Sequence, residues 1–434
     1  MKRVLATCLF LLAGCLGDLV KPPGEDGGPG GRDSGSPDAI VPTDTDIRIT
    51  TLVADIDENT FPDLILLNDA PIEGERSVRV YFDKPSGFFD QPDQVLTTDM
   101  LHPLVATFGD FVGGSPLDLM VIARDDDDVP YVVLFQNDGE RSFTRAASTS
   151  FPGRAIGGGS VAMPEPVFAA KTYIRESALA NPGLVFGDSD MALSVSVADW
   201  TAVSATDDRP LVTGSDAMNL AIPVPSAQPD RNDVLVVDDQ GAVWLKNDGN
   251  TPGDFADATD LDLWPDSQRA FSTFAFDVPG DDAPDFMTLD GSVLRVAEVS
   301  WADNLLGVMP RQMDPSPELG DGRGDALFAT DIDGSAVMDL LILDDIQPPA
   351  ADTEHFGLLA ARNIAPVDDT TISTANGFID TDIRHAGSPT RLVAGDFDRD
   401  GTVEIWVFDE TLDFKMCLVG EIYQTNKMRF NECP

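Results

Sequence analysis

The feature that most constrains this chain is a unit that recurs along it. A short apolar run leads into an aspartate-rich loop, and an acid then opens a second apolar run. In the first instance Leu52-Val53-Ala54 precedes Asp55-Ile56-Asp57-Glu58-Asn59-Thr60-Phe61-Pro62, and Asp63 opens Leu64-Ile65-Leu66-Leu67. The clearest late instance runs Leu392-Val393-Ala394-Gly395, then Asp396-Phe397-Asp398-Arg399-Asp400-Gly401-Thr402-Val403, then Glu404-Ile405-Trp406-Val407. Others open at Asp331 and Asp277, with a weaker one at Asp110. Short apolar runs bounded by Asp, Gly and Pro read as strands, and self-similarity at a regular interval reads as a repeat architecture. The intervals Asp55 to Asp110, Asp277 to Asp331 and Asp331 to Asp396 are 55, 54 and 65 residues. Between Asp110 and Asp277 the pattern blurs. One unit is expected to begin near Asp199 and resume at Asp233, and another to lie across 166–169 and 184–186.

A second signature follows the first in several units: another apolar run and a tight turn. Examples are Val132-Val133-Leu134-Phe135-Gln136-Asn137-Asp138-Gly139, Val243-Trp244-Leu245-Lys246-Asn247-Asp248-Gly249 and Val80-Tyr81-Phe82-Asp83-Lys84-Pro85. Asp-Gly after an apolar run signals a hairpin, because Gly accepts the positive φ such turns require. No amphipathic helical stretch of useful length interrupts these runs, so the fold class is all-β. An all-β chain of this length must protect its sheet edges, and a ring of blades does so.

The D-x-D-x-[DNS]-x-x-x-[DE] loop followed by Leu-Ile or Leu-Leu, with the later Asn-Asp-Gly turn, resembles the FG-GAP and VCBS repeats, over roughly 47–410. The resemblance implies a β-propeller of six or seven mostly four-stranded blades, related to the head of integrin α chains, with calcium in its loops. Calcium takes six to eight oxygen ligands, and a short loop can offer alternate side chains plus one carbonyl. The expected ligand sets are Asp55, Asp57, Asn59, the Phe61 carbonyl and Asp63; Asp331, Asp333, Ser335, the Val337 carbonyl and Asp339; and Asp396, Asp398, Asp400, the Thr402 carbonyl and Glu404. Asp277, Asp281 and Asp285 form a weaker set, since Pro279 takes position three. The Asp110 loop has Val112 and Gly114 at positions three and five, and no metal is expected there.

The chain opens with Lys2 and Arg3, an apolar stretch from Val4 to Ala13, and Leu12-Ala13-Gly14-Cys15. That stretch is too short to span a bilayer. Its end resembles the lipobox of bacterial lipoproteins. Residues 1–14 then read as a signal peptide, and Cys15 as the lipidated first residue of a Gly/Pro-rich acidic linker, 15–46. The propeller follows over 47–434. Such a linker buries too little apolar surface to offset its ordering entropy. Cys417 and Cys433 remain as a pair in an oxidising compartment, and a disulfide between them is expected.

Seventy-five acidic residues against 28 basic ones give a formal charge of −47, which argues against nucleic acid as a partner. His102, His355 and His385 are far apart, and no catalytic constellation stands out. The reading is a monomeric, non-catalytic, calcium-stabilised envelope lipoprotein that binds a protein or glycan in an adhesion or scaffold role. A propeller hydrolase or lyase acting on polysaccharide is the alternative. If the lipid is the attachment, Cys15→Ser should release the chain from the membrane fraction or leave an unprocessed precursor. Unchanged membrane partition with normal maturation would contradict the anchor.

Overall fold

The computed structural model describes thirty strands. It also describes the connections 55–62, 82–84, 92–93, 98, 101, 111–112, 117, 125–127, 129, 138–142, 226, 263–264, 314, 331–332, 337–338, 364, 374 and 396–403. The expected signal peptide and linker, with Cys15, lie outside the described residues.

All described secondary structure is β. The first sheet is β1 (Ile49–Ala54), β2 (Asp63–Ile72), β3 (Glu75–Tyr81) and β4 (Gln94–Thr97). The second is β5 (His102–Gly109), β6 (Asp118–Arg124), β7 (Pro130–Asn137) and β8 (Phe143–Ser150). The third is β9 (Phe168–Glu176), β10 (Leu179–Gly187), β11 (Ala192–Val197) and β12 (Ala205–Leu211). The fourth is β13 (Leu220–Pro225), β14 (Asn232–Val237), β15 (Gly241–Asn247) and β16 (Phe255–Asp262). In each, four consecutive strands pair antiparallel in chain order.

The next two sheets are irregular. One holds β17 (Ser272–Phe276), β18 (Asp285–Asp290), β19 (Val293–Ala302) and β20 (Leu305–Met313). The other holds β21 (Gly324–Thr330), β22 (Asp339–Asp345) and β23 (His355–Ala361), closed by β26 (Phe378–Ala386). Between β23 and β26 the chain makes a small hairpin, β24 (Ala365–Pro366) and β25 (Thr371–Ser373). β25 crosses back to pair parallel with β20 and covers that sheet's outer edge. The last sheet returns to the simple meander with β27 (Pro389–Gly395), β28 (Glu404–Asp409), β29 (Phe414–Ile422) and β30 (Met428–Glu432).

The first strands of successive sheets touch in a circuit: β1 with β5, β5 with β9, β9 with β13, β13 with β17, β17 with β21, β21 with β27, and β27 with β1. This is a propeller. The expectation of six or seven mostly four-stranded blades is corrected: five sheets keep the regular four-stranded meander of a blade, whereas β24 and β25, inserted in the chain between β23 and β26, extend the β17–β20 sheet to six strands. The unit expected near Asp199 is also displaced. The first strand paired with β14, which carries Asp233, is β13 at Leu220.

Sheet burial explains the continuous apolar runs. In β2, Leu64 and Leu66 join one core cluster, while Ile65 and Leu67 join the other. Alternate side chains point to opposite faces, so the first sheet is buried on both sides. Phe286 and Met287 divide in the same way in β18.

One polar feature recurs inside this apolar packing. An acid at the first position of the second strand, or at the second position in β14, is buried in six sheets: Asp63, Asp118, Asp233, Asp285, Asp339 and Glu404. One carboxylate oxygen accepts the amide of a loop residue seven positions earlier. Ile56, Phe111, Ile332 and Phe397 donate at 3.0, 2.9, 2.9 and 2.8 Å. The other oxygen accepts the amide at or just beyond the end of the third strand in the first, second and fourth sheets. Asp83, Asn137 and Asn247 donate at 2.8, 3.1 and 3.0 Å. In the fifth sheet Val299, within the third strand, donates to Asp285 at 2.6 Å. The acid thereby staples the first connection of its blade to the third strand. Asp118 does this for three amides, those of Phe111, Val112 and Asn137. Asp118→Ala should strand them and destabilise the protein by about 2–4 kcal/mol, since buried donors left unpaired cost about 1–3 kcal/mol each and add incompletely. The loss should be the same in calcium and in chelator. Melting curves check this, and a loss confined to calcium buffer would show that Asp118 acts through a metal instead.

Candidate metal centre

Two groups of acids converge among the described residues, and both are repeat loops: Asp55, Asp57 and Asp63, and Asp396, Asp398, Asp400 and Glu404. In each group the ligand atoms lie within 4.8 Å of one another. The loops between β1 and β2 and between β27 and β28 share one hydrogen-bond plan. At positions five and six the amides donate to the position-one carboxylate: Asn59 and Thr60 to Asp55 at 2.8 and 2.7 Å, and Asp400 and Gly401 to Asp396 at 3.1 and 3.1 Å. At position seven the amide donates to position five: Phe61 to Asn59 at 2.8 Å and Thr402 to Asp400 at 2.7 Å. Position nine is the buried staple.

Backbone conformation repeats as well. Position four has positive φ in both loops, at Glu58 (59°) and Arg399 (65°), and so does position six, at Thr60 (81°) and Gly401 (87°). Glycine takes this conformation freely, whereas a β-branched threonine is strained in it.

Electrostatically the loops differ. Around the first, cations come from the neighbouring sheets. Arg141, in the β7–β8 turn, sets Nε 2.8 Å from Asp57 Oδ2 and also pairs with Asp83. Arg399, from the last loop itself, pairs with Asp83 as well. Asp83 is fully buried and also accepts from Asn59 Nδ2 at 2.9 Å. Burial would push its carboxyl up, but the Arg399 and Asn59 hydrogen bonds and the two guanidinium charges hold it below the usual carboxylate range. Asp63 has no such close partner: burial pushes it up to about 8.

Around the last loop, among the described residues, no lysine or arginine pairs with the four carboxylates. Burial, with the neighbouring acids, raises Asp396 and Asp398, and it pushes Glu404 up to about 8. Glu404 is 2% exposed, and its Oε1 is buried with no hydrogen-bond partner.

The last loop is also the seam of the ring. Lys84 N donates to Phe397 O at 2.9 Å, joining the first sheet to the last. Gly395 is packed so closely that a Cβ there would meet Pro62 Cγ at 2.7 Å.

The remaining expected ligands divide as follows. Asp331, Val337 and Asp339 are described, and Asp339 is a buried staple, while Asp333 and Ser335 lie outside the described residues. Asp285 is a staple too, and Asp277, Asp281 and Asp110 lie outside them. Cys417 lies on β29, and Cys433 lies outside the described residues. Sequence reasoning assigned no part to Asp83, Arg141 or Arg399. The signal for Asp83 was present: it stands where Asn137 and Asn247 stand, at the end of the third strand.

No family model matches the chain, and no curated protein matches it. Two solved structures are similar in shape. BBS1N in complex with ARL6DN is 9% identical, with a TM-score of 0.45, over 90% of this chain and 92% of that one. An Agrocybe aegerita lectin, described as recognising non-reducing terminal N-acetylglucosamine, is 14% identical, with a TM-score of 0.43, over 88% of this chain and 92% of that one.

The shared backbone plan yields a test of its own. Thr60→Gly should stabilise the protein by about 0.5–1 kcal/mol, because glycine removes the strain of a positive φ at a modest cost in chain entropy. Denaturant melts measure this. A loss of stability would mean that the Thr60 side chain contributes packing that outweighs the strain.

Proposed function

We propose that this chain is an exported, lipid-anchored, non-catalytic envelope protein whose propeller is stabilised by calcium and presents its loops to a protein or glycan ligand. In this reading it is a divergent FG-GAP/VCBS-type protein. The observation that carries the calcium reading is the Asp396 loop, where four carboxylates meet with no basic partner among the described residues and one Glu404 oxygen is buried without a donor. A divalent cation supplies the missing charge, and oxygen-only ligands suit calcium. Asp396, Asp398, Asp400 and Glu404 would hold it, together with the Thr402 carbonyl. The Asp331 loop is read in the same way from its sequence.

The position of the Asp396 loop gives calcium a structural purpose. The loop carries Phe397 and Arg399, both of which bond to the first sheet. A cation that orders this loop would therefore tighten the joint between the last sheet and the first. A disulfide between Cys417 and Cys433, expected of a pair of cysteines in an oxidising compartment, belongs to the same reading.

The test is thermal melting of the full-length chain in chelator and in millimolar calcium at fixed ionic strength. At a hundredfold excess over the dissociation constant, each bound ion adds about 2.7 kcal/mol, and the melting temperature should rise by a few degrees. Asp398→Ala combined with Asp400→Ala should remove most of one such increment. Equal melting in both buffers would refute the calcium reading, and an equal effect of magnesium would reduce it to general charge neutralisation.

A further inference from the structure

The first loop shares the backbone plan of the Asp396 loop, yet its acids already have a cationic partner. Arg141 reaches across from the neighbouring blade. Its Nε lies 2.8 Å from Asp57 Oδ2, and its terminal nitrogen lies 3.9 Å from Asp63 Oδ1. The same nitrogen donates to the Asp83 carbonyl at 2.8 Å and pairs with the Asp83 carboxylate. Its guanidinium also lies over the Phe82 ring, 5.0 Å from the centroid. A planar cation with five donors, partly shielded from water, can neutralise several carboxylates at once. Arg141 Nε is held to Asp57 by charge, and among the described residues neither that nitrogen nor Asp57 Oδ1 has a hydrogen-bond partner. Arg141 itself sits at a φ of 62°, a conformation that few side chains adopt unless their surroundings hold them there.

We propose that Arg141 is the resident cation of the first loop: its guanidinium takes the place that a metal ion takes in a loop of this design, and Asp55, Asp57 and Asp63 fold without calcium. This replaces the sequence-based expectation of calcium there. The contrast with the Asp396 loop rests on the calcium reading of that loop, but the assignment of Arg141 rests on its own contacts. Its chemical consequence is specific. Removing the guanidinium leaves Asp55, Asp57, Asn59 and Asp63 as an oxygen cluster, and that cluster should then accept calcium.

The experiment is calcium titration calorimetry, with melting curves in chelator and in calcium, on four full-length proteins: unaltered, Asp57→Asn, Arg141→Gln, and the two changes combined. Asp57→Asn alone should leave the number of bound ions unchanged. Arg141→Gln should melt several degrees lower in chelator, bind one further ion and recover most of the loss in calcium. Adding Asp57→Asn to Arg141→Gln should abolish both the extra ion and the recovery. A bound ion lost on Asp57→Asn alone would overturn the proposal, because the unaltered loop would then already hold calcium. A folded Arg141→Gln protein that gains no ion would overturn it too. Should Arg141→Gln fail to fold even in calcium, the Asp57→Asn arm still decides the question. An unaltered protein that binds no calcium at all contradicts the reading of the Asp396 loop, and the Arg141→Gln arm then decides the arginine assignment separately.

Discussion

A carboxylate buried at the start of the second strand ties four of these sheets, those of Asp63, Asp118, Asp339 and Glu404, to their own first loops. In a sheet covered on both faces, the first connection cannot turn to water for its amide partners, and an orphaned buried amide is costly. Asp63, Asp118, Asp339 and Glu404 each bring an acceptor to their own loop. Asp63 and Asp118, joined by Asp233 and Asp285, also reach the third strand. Asp118 does so in a loop whose third and fifth positions carry no ligand side chains. The staple is therefore independent of the side chains at the third and fifth loop positions.

This design has an electrostatic consequence. A buried carboxylate beside two or three further acids disfavours its own charge, as the raised positions of Asp63 and Glu404 show. The two ends of the ring answer this differently. Around the first loop the compensation comes from arginines of flanking blades that converge on Asp83. The last loop sends its one basic residue, Arg399, across the seam to that same Asp83 and, among the described residues, keeps no basic partner of its own. Charge balance on one side of the joint is thus achieved with a residue drawn from the other, and this uneven sharing underlies the proposal of calcium at the Asp396 loop.

Much of this was legible in the residues. The strands around Asp55, Asp331 and Asp396 stood out because runs buried on both faces are continuously apolar and their loops are rich in aspartate. The third sheet was only partly legible: its strands contain Pro182, Gly183 and Pro210, and the two residues between its first and second strands, Ser177 and Ala178, include no aspartate. The β24–β25 hairpin could not be seen, since two and three residues leave no periodicity to read. Within the site, spacing alone cast the ninth-position acid as a metal ligand, whereas its amide bonds depend on a strand brought alongside by folding. Arg141 was invisible for a related reason. It lies 84 positions from Asp57 in the chain, and only the packing of adjacent blades makes them neighbours.

The most direct measurement is anomalous scattering from crystals of the protein grown in calcium. The account predicts a calcium peak among Asp396, Asp398, Asp400 and Glu404, with oxygen ligands at about 2.3–2.6 Å. It also predicts no peak among Asp55, Asp57 and Asp63, where the Arg141 side chain should be found. A peak in the first loop with Arg141 turned away, or no peak in the last, would contradict it.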